Sequence, residues 1–356
     1  MTTAAKSKSF QPDAPLSRQL FTIGVGLAGG LLFMWANIPA GAMSGAMALV
    51  AVAGSFAPAW IVPMNTPLRY LAMLTSGVSI GATVTIETFH NIAAYPASVM
   101  GMLVCVLCMT LVSTLISMKL SHWDRTTSVL AAIPGAMGFV LSAVMTTGAN
   151  APRVVTVQMM RVFFLVCLVP LAIKETGADV ASVTARASDS LSMFMLEFLV
   201  GCAAGLLFTR WKIVGGMFLG AMLVSGAFHA AEIAIGRAPA PILVLGQVMI
   251  GTWTGCRFAG FDWSQFLREA PSMLAAIGSS VVISAAFAIA ASTALGLPFG
   301  ATFLAYSPGG MEAMTVLAMA LGLDPFYVAA HHLARFVMLH VGLPLTLHYW
   351  IGKKPK

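Results

Sequence analysis

Two arginines at matching places in an apolar chain are the residues best placed to do chemistry. Arg161 lies near the middle of the apolar stretch 152–172, and Arg335 near the middle of 325–351. A guanidinium at the bilayer centre costs at least about 2.5–3.5 kcal/mol unless it faces a partner or a wet cavity. Gln158 and His332 precede these arginines by three residues, which puts each pair on one helical face. Upstream, Pro134-Gly135 and Pro308-Gly309-Gly310 interrupt the apolar stretches 126–147 and 298–322. Proline removes a backbone donor, and glycine removes the side chain that stiffens a helix. Glu312 follows the second interruption, where the first half has Gly138. Broken helices are tolerated in lipid only where the freed backbone is buried in protein or lines a wet cavity.

Two readings of this set stand side by side. In the structural one, the arginines bond loose carbonyls of the broken segments, or Arg335 pairs with Glu312. In the functional one, Arg161, Arg335, Gln158, His332 and Glu312 are the polar lining of a substrate site. Pro134, Gly135, Pro308, Gly309 and Gly310 then supply exposed backbone, and open helix N-termini add positive potential. The substrate expected is a small anion, such as a carboxylate, and Glu312 is a candidate for taking up and releasing a proton.

The elements that must position these residues are membrane helices. Hydrophobic residues make up 59% of the chain and charged residues only 9%, far below the ~25% of a soluble domain. The fold class expected is an all-α polytopic membrane protein. Apolar spans fall at 20–36, 41–56, 68–86, 93–118, 126–147, 152–172, 193–209, 213–229, 240–257, 271–296, 298–322 and 325–351. The Gly-rich spans 41–56 and 213–229 are the weakest as simple crossings. A polar linker, 174–192, separates a first membrane repeat, 20–173, from a second, 193–351. Residues 1–19 read as a cytoplasmic tail before an uncleaved start-transfer helix, and 352–356 as a basic tail.

The halves match at an offset of 174. Pro134-Gly135-Ala136-Met137 falls on Pro308-Gly309-Gly310-Met311, Gly148 on Gly322, Asn150 on Asp324, Arg161 on Arg335 and Pro170-Leu171 on Pro344-Leu345. Gly77 and Gly81 fall on Gly251 and Gly255. Internal duplication of this kind points to transporter architecture. If the broken segments re-enter without crossing, each half crosses five times and the repeats are inverted. With the N-terminus inside, fourteen Lys and Arg then face the cytoplasm and three face out. Crossing segments give twelve against five, so the inverted, re-entrant arrangement is preferred.

Other chemistry finds little support. The net charge of +7 comes from single basic residues in short loops and at the ends, an anchoring pattern rather than a nucleic-acid surface. Cys105 and Cys108 form a CxxC within an apolar span and, like the other three cysteines, read as packing residues. His332, His340 and His348 recur every eight residues and drift about 80° per step around a helix, so they do not share a face for a metal. No cofactor, metal site or catalytic residue is expected. Asp324-Pro325 and Asn150-Ala151-Pro152 read as helix starts.

The run from Pro308 through Asp324-Pro325 to His332 and Arg335 resembles the membrane AbrB family, bacterial inner-membrane proteins with a duplicated module. Pro134-Gly135 through Asn150 to Arg161 is similar to the family's first repeat, with Gly135-Ala136 in place of Gly-Gly and Asn150 in place of Asp. The resemblance implies a duplicated polytopic protein of the inner membrane. The family also carries labels as a regulator of gene expression and an ammonia monooxygenase, neither of which these residues support directly. The reading adopted is a secondary-transporter-like protein for a small anion, possible proton coupling included, rather than an enzyme. The alternative is a membrane-embedded ligand sensor that affects gene expression. Expected partners are the small anion and the lipid bilayer, without nucleic acid, and with a homodimer left open.

Overall fold

The computed structural model describes residues 14–84, 95–135, 137–174, 191–213, 215–234, 236 and 238–346. The linker 175–190, both tails and most of the expected C-terminal end of the last span lie outside the described residues. Fourteen α-helices occur among the described residues, with one 3-10 turn at Cys256–Phe258. In the first half these are α1 (Leu16–Trp35), α2 (Gly41–Phe56), α3 (Thr66–Gly81), α4 (Tyr95–Leu120), α5 (Arg125–Ala132), α6 (Met137–Thr147) and α7 (Ala151–Lys174). In the second they are α8 (Leu191–Arg210), α9 (Gly216–Ala230), α10 (Ala240–Gly255), α11 (Trp263–Leu295), α12 (Phe299–Tyr306), α13 (Met311–Ala320) and α14 (Pro325–Thr346). Each helix of the second half, α11 apart, begins 174 or 175 residues after its counterpart. Five helices are long and apolar enough to cross a membrane: α1, α4, α7, α8 and α11.

Polar side chains mark where helices begin. Asp124 accepts from Thr127 N at 2.9 Å to start α5, and Asn65 accepts from Leu68 N at 3.0 Å to start α3. Asn150 caps α7 through Arg153 N, and Asp324 caps α14 through the Phe326 and Tyr327 amides, as the sequence predicts. The two Gly-rich spans, α2 and α9, are buried on most of their circumference.

The helices sort into two modules, each drawn from both halves. In one, α2 packs on α1 and on α10, α9 packs on α8 and on α3, and α3 meets α10. In the other, α4 pairs with α11, and α5, α6 and α7 pack together, as do α12, α13 and α14. Glycines permit the close crossings of the first module. A Cβ at Gly77 would stand 2.5 Å from the Phe218 carbonyl oxygen, and one at Gly251 would collide with the Met43 carbonyl. Gly81 against Met222 and Gly255 against Met47 repeat the pattern one turn on, at 2.7 Å each from a carbonyl oxygen. Backbone meets backbone here, the packing that small residues allow between membrane helices. In the second module, Ser113 donates to Ala276 O at 3.0 Å and lies 2.8 Å from Ser280 Oγ, joining α4 to α11.

These crossings predict a specific pattern of damage. Gly77→Leu or Gly251→Leu is expected to lose at least about 1–3 kcal/mol through overpacking. Gly278→Leu, which meets nothing within 4 Å, is expected to melt like wild type. Thermal melting of the three purified variants checks this; equal melting points would remove the close-packing argument.

Candidate functional site

The site is built where two helices break. Ile133 and Ser307 end α5 and α12 in extended conformation, with ψ of 122° and 145°. Gly135 then takes φ +78°, which favours glycine. Beyond the break the chain folds back. Asn150 N, just past α6, donates to Thr127 Oγ1, at the start of α5, at 2.9 Å. In the second half a Cβ at Gly300, at the start of α12, would lie 3.1 Å from Leu323, just past α13. Each broken segment is therefore a helical hairpin whose two ends lie together and whose Pro-Gly tip lies farthest from them.

A helix leaves its last four carbonyls without partners. In α5 and α12 these fall at the hairpin tips, inside the protein, and the polar residues of α7 and α14 satisfy them. Gln158 Nε2 donates to Leu130 O at 3.3 Å. Arg161 donates from Nη1 to Ala132 O at 3.2 Å and from Nη2 to Ile133 O at 3.0 Å. In the second half His332 Nε2 donates to Leu304 O at 3.1 Å, and Arg335 Nη1 to Ser307 O at 2.7 Å. Arg335 Nη2 also reaches Gly309 O at 2.5 Å and His332 Nδ1 at 2.6 Å. A carbonyl can only accept, so His332 carries its proton on Nε2 and accepts from Arg335 at Nδ1. Leu130 and Leu304, and likewise Ile133 and Ser307, are 174 residues apart, so the two braces use matching atoms. All four bracing side chains are buried: Gln158 4%, Arg161 2%, His332 1% and Arg335 3% exposed.

The tips of the two hairpins come together. A Cβ at Gly135 would stand 3.2 Å from Arg335 Nη2 and 3.6 Å from Gly309 O, so the second half's arginine lies against the first half's tip. Beside it is a crevice of about 30 Å³, lined by Pro134, Gly135, Met311, His332, Arg335 and the apolar side chains Leu333, Phe336 and Leu339. This is room for about one water molecule. Of the residues singled out in the sequence, Pro134, Gly135, His332, Arg335 and Gly309 converge here. Gln158 and Arg161 stand at the first tip but do not line the crevice. Pro308 belongs to the second tip, and the space around Gly310 is open.

Glu312 does not pair with Arg335, as one reading of the sequence expected. Arg335 spends its Nη donors on carbonyls and His332, while Glu312 turns toward Gly215, whose Cβ position lies 3.3 Å from Glu312 Oε1. The carboxylate sits in the first turn of α13, where the helix dipole favours it. Among the described residues, neither buried guanidinium has an ion-pair partner.

Three features escaped the sequence reading. Arg257, taken as a loop cation, directs Nη1 to Met137 Sδ at 3.6 Å, at the start of α6, and lies 5.1 Å over the Trp253 ring. Glu197 is buried in α8, 3.6 Å from His229 Nδ1, and accepts from Ser225 Oγ at 3.0 Å. A lone acid inside the apolar span 193–209 was the available signal. Ser98 of α4 gathers the Tyr306 and Tyr327 hydroxyls and His331 Nε2, the last at 2.9 Å. His331 Nδ1 faces Tyr327 O at 2.8 Å, so its proton sits on Nδ1 and Ser98 donates to Nε2.

Comparison with known proteins gives two kinds of match. A family model described as "Transition state regulatory protein AbrB" matches residues 43–351. The chain is 23% identical to "Uncharacterized protein YhjN" of Bacillus subtilis (strain 168), over 96% of both chains. It is 21% identical to "Putative regulator AbrB" of Escherichia coli (strain K12), over 91% of this chain and 94% of that one.

The brace makes a stability prediction. Arg335→Met leaves the Ser307 and Gly309 carbonyls buried without a donor, at about 1–3 kcal/mol each, and is expected to lose roughly 3 kcal/mol or more. Arg335→Lys, a point charge without the planar fork, should fall between this variant and wild type. Arg161→Met is expected to behave like Arg335→Met. Denaturation of the purified variants reads these values, and melting of all three within error of wild type would refute the brace.

Proposed function

The chain belongs to the AbrB family, and from that premise we propose that it is a secondary-transporter-like protein moving a small anion across the bacterial inner membrane. The observation that carries this reading is the meeting of two hairpin tips around buried guanidinium groups without paired carboxylates among the described residues. Helix α13 starts there without a side-chain cap, so its first-turn amides add positive potential. A positive, mostly apolar crevice at the meeting point of two broken segments suits an anion, and such meeting points hold substrate in transporters with internal repeats.

The fold-back of each hairpin favours re-entry over crossing. That gives five crossings per half, repeats of inverted topology and, by the fourteen-to-three distribution of Lys and Arg, a cytoplasmic N-terminus. The bracing role of Arg161 and Arg335 is compatible with this function, because a satisfied backbone fixes the tips between which the anion sits. Glu312, in the first turn of α13 and without a counterpart in α6, is the candidate coupling group. The regulator named in the E. coli relative supports a second reading, a membrane-embedded sensor that binds the same ligand without moving it.

The test is thermal stabilisation of purified protein by a panel of small anions, followed by uptake into liposomes. An anion at 100 times its dissociation constant should add about 2.7 kcal/mol. Uptake with stabilisation supports the transporter, stabilisation without uptake supports the sensor, and the absence of both removes the anion site. In liposomes that transport, Glu312→Gln should flatten the pH dependence of uptake; unchanged uptake and unchanged pH dependence would end the role given to Glu312.

A further inference from the structure

A second polar cluster lies apart from the hairpin tips, in the first module, where α8 begins and α9 ends. Glu197 is 1% exposed and His229 8%. Carbonyls face both ring nitrogens of His229: Ser225 O stands 2.9 Å from Nδ1, and Gly236 O stands 2.9 Å from Nε2. A carbonyl only accepts, so both nitrogens carry a proton and the ring is an imidazolium. Glu197 Oε1, 3.6 Å from Nδ1, supplies a counter-charge. Ser225 Oγ holds that carboxylate at 3.0 Å and also reaches Val78 O of α3 at 2.9 Å. Other ionisable groups near these elements are placed differently. Glu232 is exposed. Asp324, two residues before the Phe326 ring that neighbours Gly226, is engaged by its own helix's amides and by Tyr95. Arg69 and Tyr70 are at the opposite end of α3 from Val78, Cys202 and Arg210 lie farther along α8, and Arg237 is outside the described residues.

The bond to Gly236 ties down the turn between α9 and α10. Amides of that turn also bond back to the end of α9, Glu232 N to His229 O at 3.1 Å and Ile233 N to Phe228 O at 2.9 Å. A neutral imidazole has one proton for its two carbonyls. Nδ1 faces a carboxylate as well as a carbonyl, so the remaining proton stays there. Nε2 then turns a lone pair toward Gly236 O, and the bond that held the turn becomes a repulsion. The first half builds the matching corner without a titrating group. At an offset of 175, the offset between the starts of α1 and α8, Thr22 matches Glu197 and Gly54 matches His229. There Thr22 Oγ1 accepts from Val62 N at 3.2 Å and Gln19 Oε1 from Asn65 N at 2.8 Å, tying the turn between α2 and α3. We propose that the Glu197–His229 pair is a proton-dependent latch, which holds the α9–α10 turn when His229 is protonated and releases it to solvent, with its proton, as pH rises. The latch requires neither transport nor an anion. On the topology proposed above the latched turn faces outside and its proton-independent counterpart faces the cytoplasm; that assignment of sides alone rests on the earlier reading.

The experiment is backbone hydrogen–deuterium exchange of the full chain in detergent, read by mass spectrometry. Protection is taken relative to an unstructured peptide at the same pH. In wild type, protection of the turn 231–239 should fall at least about tenfold between about pH 5 and about pH 9, the scale of one charged hydrogen bond. His229→Gln should abolish this dependence, and Glu197→Gln should move the fall to lower pH. Wild-type protection that holds at both pH values overturns the latch, and so does a fall that survives in His229→Gln. An unmoved fall in Glu197→Gln overturns the part given to the carboxylate. The turn 57–65 should keep its protection throughout; a parallel loss there marks general loosening and overturns the latch. Exchange of the imidazole C2 hydrogen in wild type follows the ring itself and covers a variant that does not fold. His229 should lose its proton over the pH range in which the turn loosens. A ring already neutral while the turn is still held overturns the proposal.

Discussion

The structure depends on one constraint: the carbonyls at the end of a helix that stops inside the protein must find donors. Water satisfies such groups at a surface, and a helix that crosses the bilayer unbroken satisfies them within itself. Helices α5 and α12 do neither. Each has only eight residues and ends at a buried tip. A neutral donor could satisfy one carbonyl, but each tip presents several, spread over four residues at the first tip and six at the second. A guanidinium reaches two at once from a single position, and a Gln or His one turn earlier reaches the carbonyl one turn back. The Gln158/Arg161 and His332/Arg335 pairs follow from that geometry.

Much of this was legible in the sequence, because the constraint selects rare residues. Proline with glycine inside an apolar span, an arginine in the middle of the next span and a polar residue three before it all stand out against 59% hydrophobic composition. Their recurrence at an offset of 174 is visible without a structure, and the helix starts recur at 174 or 175. What each arginine bonds was left open, since a guanidinium can serve carbonyls, Glu312 or a ligand, and spacing does not choose among them. The coordinates choose the carbonyls. Arg257 was illegible for the opposite reason: it follows the apolar run of α10, so hydropathy assigns it to a loop, and only the tertiary path brings Met137 against it. The sorting of helices into two mixed modules was also hidden. It rests on Gly77, Gly81, Gly251 and Gly255, whose partners in α2 and α9 no pattern of hydropathy identifies.

The two modules give the site its setting. The glycine-lined crossings lock α3 and α10 against α9 and α2, a backbone-to-backbone fit that tolerates little sliding. The hairpins sit in the other module, held by side chains of α7 and α14, which lie in the same module. Each brace is thus internal to the module that carries the tips. Arg257 belongs to the end of α10, in the glycine-locked module, yet it touches the first residue of α6. It is a contact between the two bodies at the level of the tips.

That placement ties charge to position. Arg161 and Arg335 travel with the carbonyls they satisfy, so their charge is a fixed property of the hairpin body. Arg257 and Glu312 belong to different modules, and neither is matched in the other half, where Thr83 and Gly138 stand. Arg257 of the glycine-locked module meets Met137 of the hairpin module, and Glu312 of the hairpin module faces Gly215 at the start of α9, so the unmatched cation and the unmatched acid each lie at the junction of the two modules.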